Sequence, residues 1–272
     1  TNMRFLMVAA LTCVVFSAIS ARAHEFWLSP ESYVVAPGEE VLVRLRIGQG
    51  FKGASYVYSP KGFVRFDFIL GDQVQPVSGR LGDDPAMALV PQGQGLGIVV
   101  HETKDLRLSY SDWSKFVSFV EHKDFAGALE RHAARGLPET GFRESYRRYA
   151  KSLIGIGNAN GSDREVGLHT EFVALANPYT DDLSAGMPLL VLRDGAPRVD
   201  AQVEVFQRIG KGDVVIERYR TDAEGRVVVP VVPGAEYLVD AVILKELENQ
   251  DPKGDPVWHS DWAALTFSVP LE

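Results

Sequence analysis

Val41-Leu42-Val43-Arg44-Leu45-Arg46-Ile47 puts Val41, Val43, Leu45 and Ile47 on one side of an extended chain and both arginines on the other. A period of two is the signature of a half-buried strand. Working outward, Phe63–Leu70, Gly97–His101 and Leu106–Tyr110 are further short strand candidates. Turn signals such as Ala36-Pro37-Gly38, Ser59-Pro60-Lys61-Gly62 and Leu81-Gly82-Asp83-Asp84-Pro85 separate them. After residue 164 the pattern resumes at Glu165–Leu175, Pro188–Arg193, Ala201–Arg208, Val214–Thr221, Arg226–Val232, Glu236–Leu244 and Trp262–Val269. Asp194-Gly195 and Asp222-Ala223-Glu224-Gly225 read as hairpin turns, because Asp and Gly tolerate positive φ. Regular short strands between turns predict a β-sandwich.

Trp113–Leu153 interrupts the pattern. Phe125–Ala134 and Arg143–Leu153 have helical composition, and Tyr146, Tyr149/Ala150 and Leu153 fall at helical spacing. The expected fold is therefore mainly β: two Ig-like or transthyretin-like β-sandwich domains, 24–112 and 164–272, with a small helical insertion at 113–163 between them.

The 272 residues carry 28 basic and 36 acidic side chains, a formal charge of −8, which argues against nucleic acid as a partner. Arg4, the apolar run Phe5–Ile19 and Ala21-Arg22-Ala23 have the layout of a signal peptide over residues 1–23. Cleavage before His24 predicts an exported, periplasmic protein with no membrane span, a charge of −10 and no cysteine, since Cys13 is the one cysteine. Thiolate metal sites and disulfides are then excluded, and any metal must use nitrogen and oxygen donors.

The α-amine and imidazole of His24 would form a chelating pair suited to tetragonal Cu(II) or Ni(II). His169 and Glu171 stand at i and i+2, about 7 Å apart along one strand face. His259 and Asp261 repeat that spacing just before the last strand. Each pair offers one imidazole and one carboxylate, and each also reads as an ordinary polar pair on a half-exposed strand. Glu121-His122-Lys123-Asp124 reads as a solvated charged loop, His132 as a surface residue, and Trp27, Trp258 and Trp262 as packing. H-E-x-x-H, G-x-S-x-G and P-loop patterns are all absent, so nothing marks an enzyme.

Three segments carry a family likeness: His24-Glu25-Phe26-Trp27-Leu28, Leu168–Phe172 running to Ala176-Asn177-Pro178, and Trp258–Phe267, where Ala264 replaces a Ser. In this order they resemble the DUF4198 family of exported bacterial proteins, and Ala196–Phe206 with Thr221–Gly225 is similar to a transthyretin-like module. The resemblance implies a metal-associated role linked to nickel or cobalt uptake. The leading expectation is thus a periplasmic binder of a divalent transition metal (nickel or cobalt, then copper), accessory to a membrane metal transporter. Its metal ligands would be drawn from His24, His169, Glu171, His259 and Asp261. The alternatives are a non-catalytic module that binds an envelope or transporter protein, and a copper histidine-brace oxidase.

Overall fold

Apolar alternation as strong as that of Val41–Ile47 needs a second layer to bury it. The computed structural model describes residues 24–248 and 251–271. In it the chain runs as β1 (Glu25–Pro30), β2 (Val34–Val35), β3 (Val41–Gln49), β4 (Lys52–Tyr56), β5 (Phe63–Leu70), β6 (Gln73–Pro76), β7 (Met87–Leu89), β8 (Gly95–Thr103) and β9 (Leu106–Ser109). Helices α1 (Trp113–His122) and α2 (Ala128–Ala134) follow. The remainder is β10 (Arg143–Ile156), β11 (Thr170–Ala174), β12 (Met187–Arg193), β13 (Ala196–Pro197), β14 (Gln202–Ile209), β15 (Val214–Arg220), β16 (Arg226–Val229), β17 (Ala235–Glu246) and β18 (Pro256–Ser268).

The strands make three sheets. A ten-stranded sheet has the order β15-β14-β17-β18-β10-β8-β5-β6, with β2 and β9 also paired to β10. One four-stranded sheet holds β1, β3, β4 and β7, and another holds β11, β12, β13 and β16. Side-chain alternation assigns the two faces of the large sheet. Ala150, Ile154, Phe206, Leu238 and Ala264 pack against Trp27, Leu28, Val41, Val43 and Met87 of the first sheet. Tyr149, Leu153, Val239, Ala263 and Leu265 pack against Phe172, Leu189 and Val191 of the last. The fold is mainly β, with face-to-face sheet packing of the sandwich type.

The structure corrects the helical insertion. Its helices end at Ala134, and Arg143–Ile156 is a long strand hydrogen-bonded to β18 in parallel and to β8 and β9 antiparallel. Of the residues at helical spacing, Tyr149 and Leu153 share one strand face with Ser145, Arg147 and Lys151, while Tyr146 and Ala150 fall on the other. A strand covered on both faces loses the simple apolar alternation that marks half-exposed strands, and tertiary pairing decides the outcome. The expected strand Glu165–Leu175 shrinks to Thr170–Ala174, and the last strand begins earlier than expected, so His259 and Asp261 lie inside it.

The Asp194-Gly195 turn forms as expected, with φ of +51° and +74°, and joins β12 to β13. The Asp222–Gly225 turn also closes, through Gly225 N–H donating to Asp222 O at 3.1 Å. It makes no hairpin, however, because β15 belongs to the ten-stranded sheet and β16 to the last one.

Candidate functional site around Asp261

In β18, His259 and Asp261 are two residues apart and point to the same face, toward the last sheet. Cross-strand register sets Ser145 of β10 opposite His259, and Lys245 of β17 opposite it on the other side. His259 Nε2 lies 2.9 Å from Asp261 Oδ1, and its other nitrogen, Nδ1, lies 2.7 Å from Ser145 Oγ. Tyr149 OH donates to the same Oδ1 at 3.2 Å. The second carboxylate oxygen meets His169, which arrives from the loop before β11: His169 Nε2 is 3.2 Å from Asp261 Oδ2. Lys245 Nζ is also 3.2 Å from Oδ2, and neither contact is angled as a full hydrogen bond by Oδ2. His169 Nδ1 is in turn 2.5 Å from Asp194 Oδ1 in the β12–β13 turn.

One carboxylate thus stands between two imidazoles, each with its far nitrogen held by an oxygen. Asp261 is 1% exposed, whereas the His169 and Lys245 side chains are 29% and 37% exposed, so the cluster opens to solvent on that side. Burial works to raise the Asp261 pKa, but the hydrogen bond and charge of His259 and the charge of Lys245 outweigh it and hold it at about 2. The carboxylate is ionised at any ordinary pH.

The other two expected ligands are elsewhere. Glu171 is buried and accepts hydrogen bonds from Val166 and Gly167 N–H, at 3.0 and 3.3 Å. It lies 3.7 Å from the buried Lys151 ammonium, which is 2.8 Å from Asp163. This ion cluster ties the 163–169 loop to β10 and engages the Glu171 carboxylate. His24 precedes β1 on the opposite side of the ten-stranded sheet, where its carbonyl accepts from Arg148 Nη2 at 3.1 Å. Arg148 and Arg147 are adjacent on β10 and so point to opposite faces; Arg147 pairs in register with Asp261. The structure therefore brings His169, His259 and Asp261 together and separates them from His24 and Glu171.

A second cluster lies on the first-sheet face. Glu25 (β1), Glu204 (β14) and Asp240 (β17) form the one trio of metal-capable side chains, among the described residues, whose donor atoms all lie within 4.8 Å of one another. Lys123 Nζ sits among them, 2.9 Å from both Glu204 and Asp240 and 3.8 Å from Glu25. Burial lifts Glu25 to about 7, helped by Asp240 and opposed by Lys123. For Glu204 burial is overcome by His122 and Lys123, which pull it to about 2. The charged loop expected at Glu121–Asp124 is thus corrected: Lys123, just past α1, is a buried cation that pins the helix to the sheet. His132 is likewise not on the surface. It is 1% exposed, its Nδ1 accepts from Trp258 Nε1 at 3.0 Å, and its Nε2 lies 3.0 Å from the Pro138 carbonyl.

The family model for the domain of unknown function DUF4198 matches residues 21–245. The chain belongs to the DUF4198 family. That description carries no activity, so any function must be argued from the residues. The match ends before Trp258–Phe267, and the Asp261 cluster lies partly beyond it. No curated protein matches the chain. Among solved structures, a similar chain is the tetra-tandem repeat in the extending region of a large adhesion protein, at 14% identity. That likeness covers 90% of this chain and 49% of the other, about half its length, with a TM-score of 0.22, too low to bear an argument. Among the described residues no helix is long and apolar enough to cross a membrane. The expected signal segment, 1–23, lies outside the described residues.

Sequence reasoning about this DUF4198 chain missed Ser145, Asp194 and Lys245. Asp194 was visible only as a turn residue, Lys245 lay just past the end of the expected strand Glu236–Leu244, and Ser145 was part of an expected helix. No local pattern connects them, because sheet register alone brings them to Asp261.

Proposed function

We propose that this protein binds a divalent transition metal at the Asp261 carboxylate between His169 and His259, as an exported accessory to metal uptake. Nickel or cobalt is the first choice and copper the next. The observation that carries the reading is the placement of the two Nε2 atoms, one against each oxygen of Asp261, with both Nδ1 atoms engaged elsewhere. Outer partners of this kind orient metal-ligating histidines and fix their tautomers.

The electrostatics of His169 support the same reading. When its Nδ1–H is donated to Asp194, the neutral ring turns the lone pair of Nε2 toward an anionic oxygen 3.2 Å away. The Lys245 ammonium, also 3.2 Å from Oδ2, supplies the positive charge at this pair of atoms, and a metal would take its place. Each Nε2 lies about 3 Å from its own carboxylate oxygen, as two adjacent ligands of one metal do. The three donors do not all fall within 4.8 Å of one another, so one imidazole must swing toward the other to complete the set. A nitrogen and oxygen set without thiolate favours nickel, cobalt, copper or zinc over softer metals. His259 would turn its Nε2 lone pair to the metal and carry its proton on Nδ1, toward Ser145 Oγ at 2.7 Å. The partly exposed Lys245 leaves Oδ2 by rotating into solvent.

Calorimetric titration with Ni(II), Co(II) and Cu(II) tests this in the wild type, His169→Ala, Asp261→Asn and a form with one residue added before His24. The two site variants are expected to lose at least about tenfold in affinity, while the extended form binds as the wild type does. Unchanged affinity in His169→Ala and Asp261→Asn sinks the reading. Loss confined to the extended form would return the site to His24.

A second reading is an interaction module docking through a sheet edge. It is favoured by β15, an edge strand of the ten-stranded sheet that exposes Val215 and Ile216 at 51% and 46%.

A further inference from the structure

On the first-sheet face, away from Asp261, β1, β3, β8 and β10 enclose a cavity of about 160 Å³ that opens beside the exposed Tyr56 and Val57. An apolar cavity of about 150 Å³ is large enough to take up a benzene molecule. Its lining carries the hydroxyls of Ser59 and Thr103 and two nitrogen-bearing side chains, both buried: Arg148 at 5% and His101 at 3% exposure. No contact ion pair answers the guanidinium; Glu25 acts on it only at longer range. Among the described residues Arg148 has no carboxylate within ion-pair distance, and Glu25, the first residue of β1, is engaged at the Lys123 cluster. One of its terminal nitrogens, Nη2, donates to the His24 carbonyl, while Nε is buried without a hydrogen-bond partner. Its planar group lies over the rings of Tyr146 and Phe26, at 4.8 and 5.6 Å from their centroids.

His101 is boxed by Phe26, Phe63 and Phe66, with ring centroids at 5.1, 5.4 and 4.9 Å, and its Nδ1 has no hydrogen-bond partner. Burial, and then the charge of Arg148, push its pKa down to about 3, so the ring is neutral at physiological pH. The cavity therefore combines one uncompensated buried cation, one neutral imidazole and aromatic walls. Leaving a buried charge unpaired is costly, and persistent orphan donors of this kind mark ligand sites.

We propose that this cavity binds a small planar monocarboxylate, with Arg148 clamping the carboxylate and the Phe26, Phe63 and Tyr146 rings holding its apolar body. A neutral ligand of the same shape would leave the guanidinium unpaired. A dianion such as phosphate would bring more charge than one arginine answers and no apolar surface for the walls. Charge-assisted bonds to a guanidinium are among the stronger polar contacts available, and a few oriented polar groups in an apolar cleft are the usual design of a small-molecule site.

The test is calorimetric titration of the full chain with benzoate and with benzyl alcohol. Saturable benzoate binding, one per chain, is expected, with benzyl alcohol at least about tenfold weaker. Arg148→Met should lose at least about tenfold in benzoate affinity, and Arg148→Lys less. Leu106→Trp fills the half-buried mouth of the cavity while leaving Arg148 in place; it should abolish benzoate binding at an unchanged melting temperature, which keeps the proposal testable if Arg148→Met folds poorly. His169→Ala, on the other face, should bind benzoate normally, so this inference and the metal reading fail separately. Benzyl alcohol binding as tightly as benzoate, no saturable binding of benzoate, or full binding by a folded Leu106→Trp would each overturn it.

Discussion

The ten-stranded sheet buries carboxylates on both faces, and the two clusters answer their charge in different ways. At Glu25, Glu204 and Asp240 the counter-charge is built in: the Lys123 ammonium is 4% exposed and touches all three. At Asp261 the partners are two imidazoles and a rim lysine, and His169 and Lys245 are 29% and 37% exposed. The trio has the tighter packing of potential metal ligands, yet the Lys123 ammonium already occupies its centre, and a metal would have to expel a buried lysine. Asp261 has fewer acids but partly exposed partners that can swing aside. The comparison teaches that the crowding of acidic groups is a poor guide to a metal site; what matters is whether the charge that balances them can leave.

Removing the fixed cation should produce the largest effect. Lys123→Met leaves three buried carboxylates around an apolar side chain, and breaking such a buried arrangement costs about 3–5 kcal/mol. Urea unfolding at pH 7 measures the loss, which should shrink as the pH falls and the acids take up protons. A loss below about 1 kcal/mol would show that the cluster does not need its ammonium and would erase the contrast with Asp261.

Asp261→Asn should come next, at about 1–3 kcal/mol of stability in the metal-free protein, from the lost charge-assisted bonds. Its pH dependence has a definite sign. The folded carboxyl is held at about 2, below its ordinary 3.8, so its contribution is present above about pH 4 and disappears as the pH falls through 2. Wild type and variant should therefore converge in acid, and a gap that persists at pH 2 would contradict the charge argument. Asp194→Asn is smaller again. Asp194 is 66% exposed, so stability should change by no more than about 0.5 kcal/mol. If His169 is a ligand, nickel or cobalt affinity should still drop about tenfold, as for other partners that orient a ligating histidine. Equal affinity with equal stability would leave Asp194 a bystander.

These differences explain how much could be read from sequence. The strands of the outer sheets announce themselves through alternation or turn chemistry, as at Val41–Ile47 and Asp194-Gly195, because each is buried on one face only or ends in a turn with a specific φ requirement. β10 does not. With both faces covered, it carries Glu144, Arg148 and Lys151 in buried positions, and this polar content imitates a solvated helix. Within the site, His259 and Asp261 were legible because strand spacing alone puts them on one face. His169 joins them through a loop, and Lys123 reaches Glu204 across 81 residues, so both depend on sheet register rather than local sequence. His24 and Glu171 were plausible donors by residue type; the fold sends one to the other face and engages the other with Lys151.

The smallest expected effect tests how the Lys123 cluster divides its charge. Three carboxylates outnumber the single buried ammonium, and burial leaves Glu25 with a pKa of about 7 against an ordinary 4.5. A raised acid is a stability cost that grows with pH: below about 4.5 folded and unfolded chains both carry the proton, and as the pH climbs to 7 only the unfolded chain has released it. Glu25→Gln, whose carbonyl oxygen can still accept the Gly50 N–H now bonded at 3.1 Å, mimics the protonated acid permanently. It should match the wild type near pH 4 and become the more stable protein by pH 8, by no more than about 1–2 kcal/mol because Glu204 and Asp240 share the shift. Thermal unfolding across that range measures the crossover. A variant that is less stable than the wild type at pH 8 would mean that Glu25 is ionised and fully paired with Lys123, and that this cluster, like the Asp261 site, balances its charges without holding a proton.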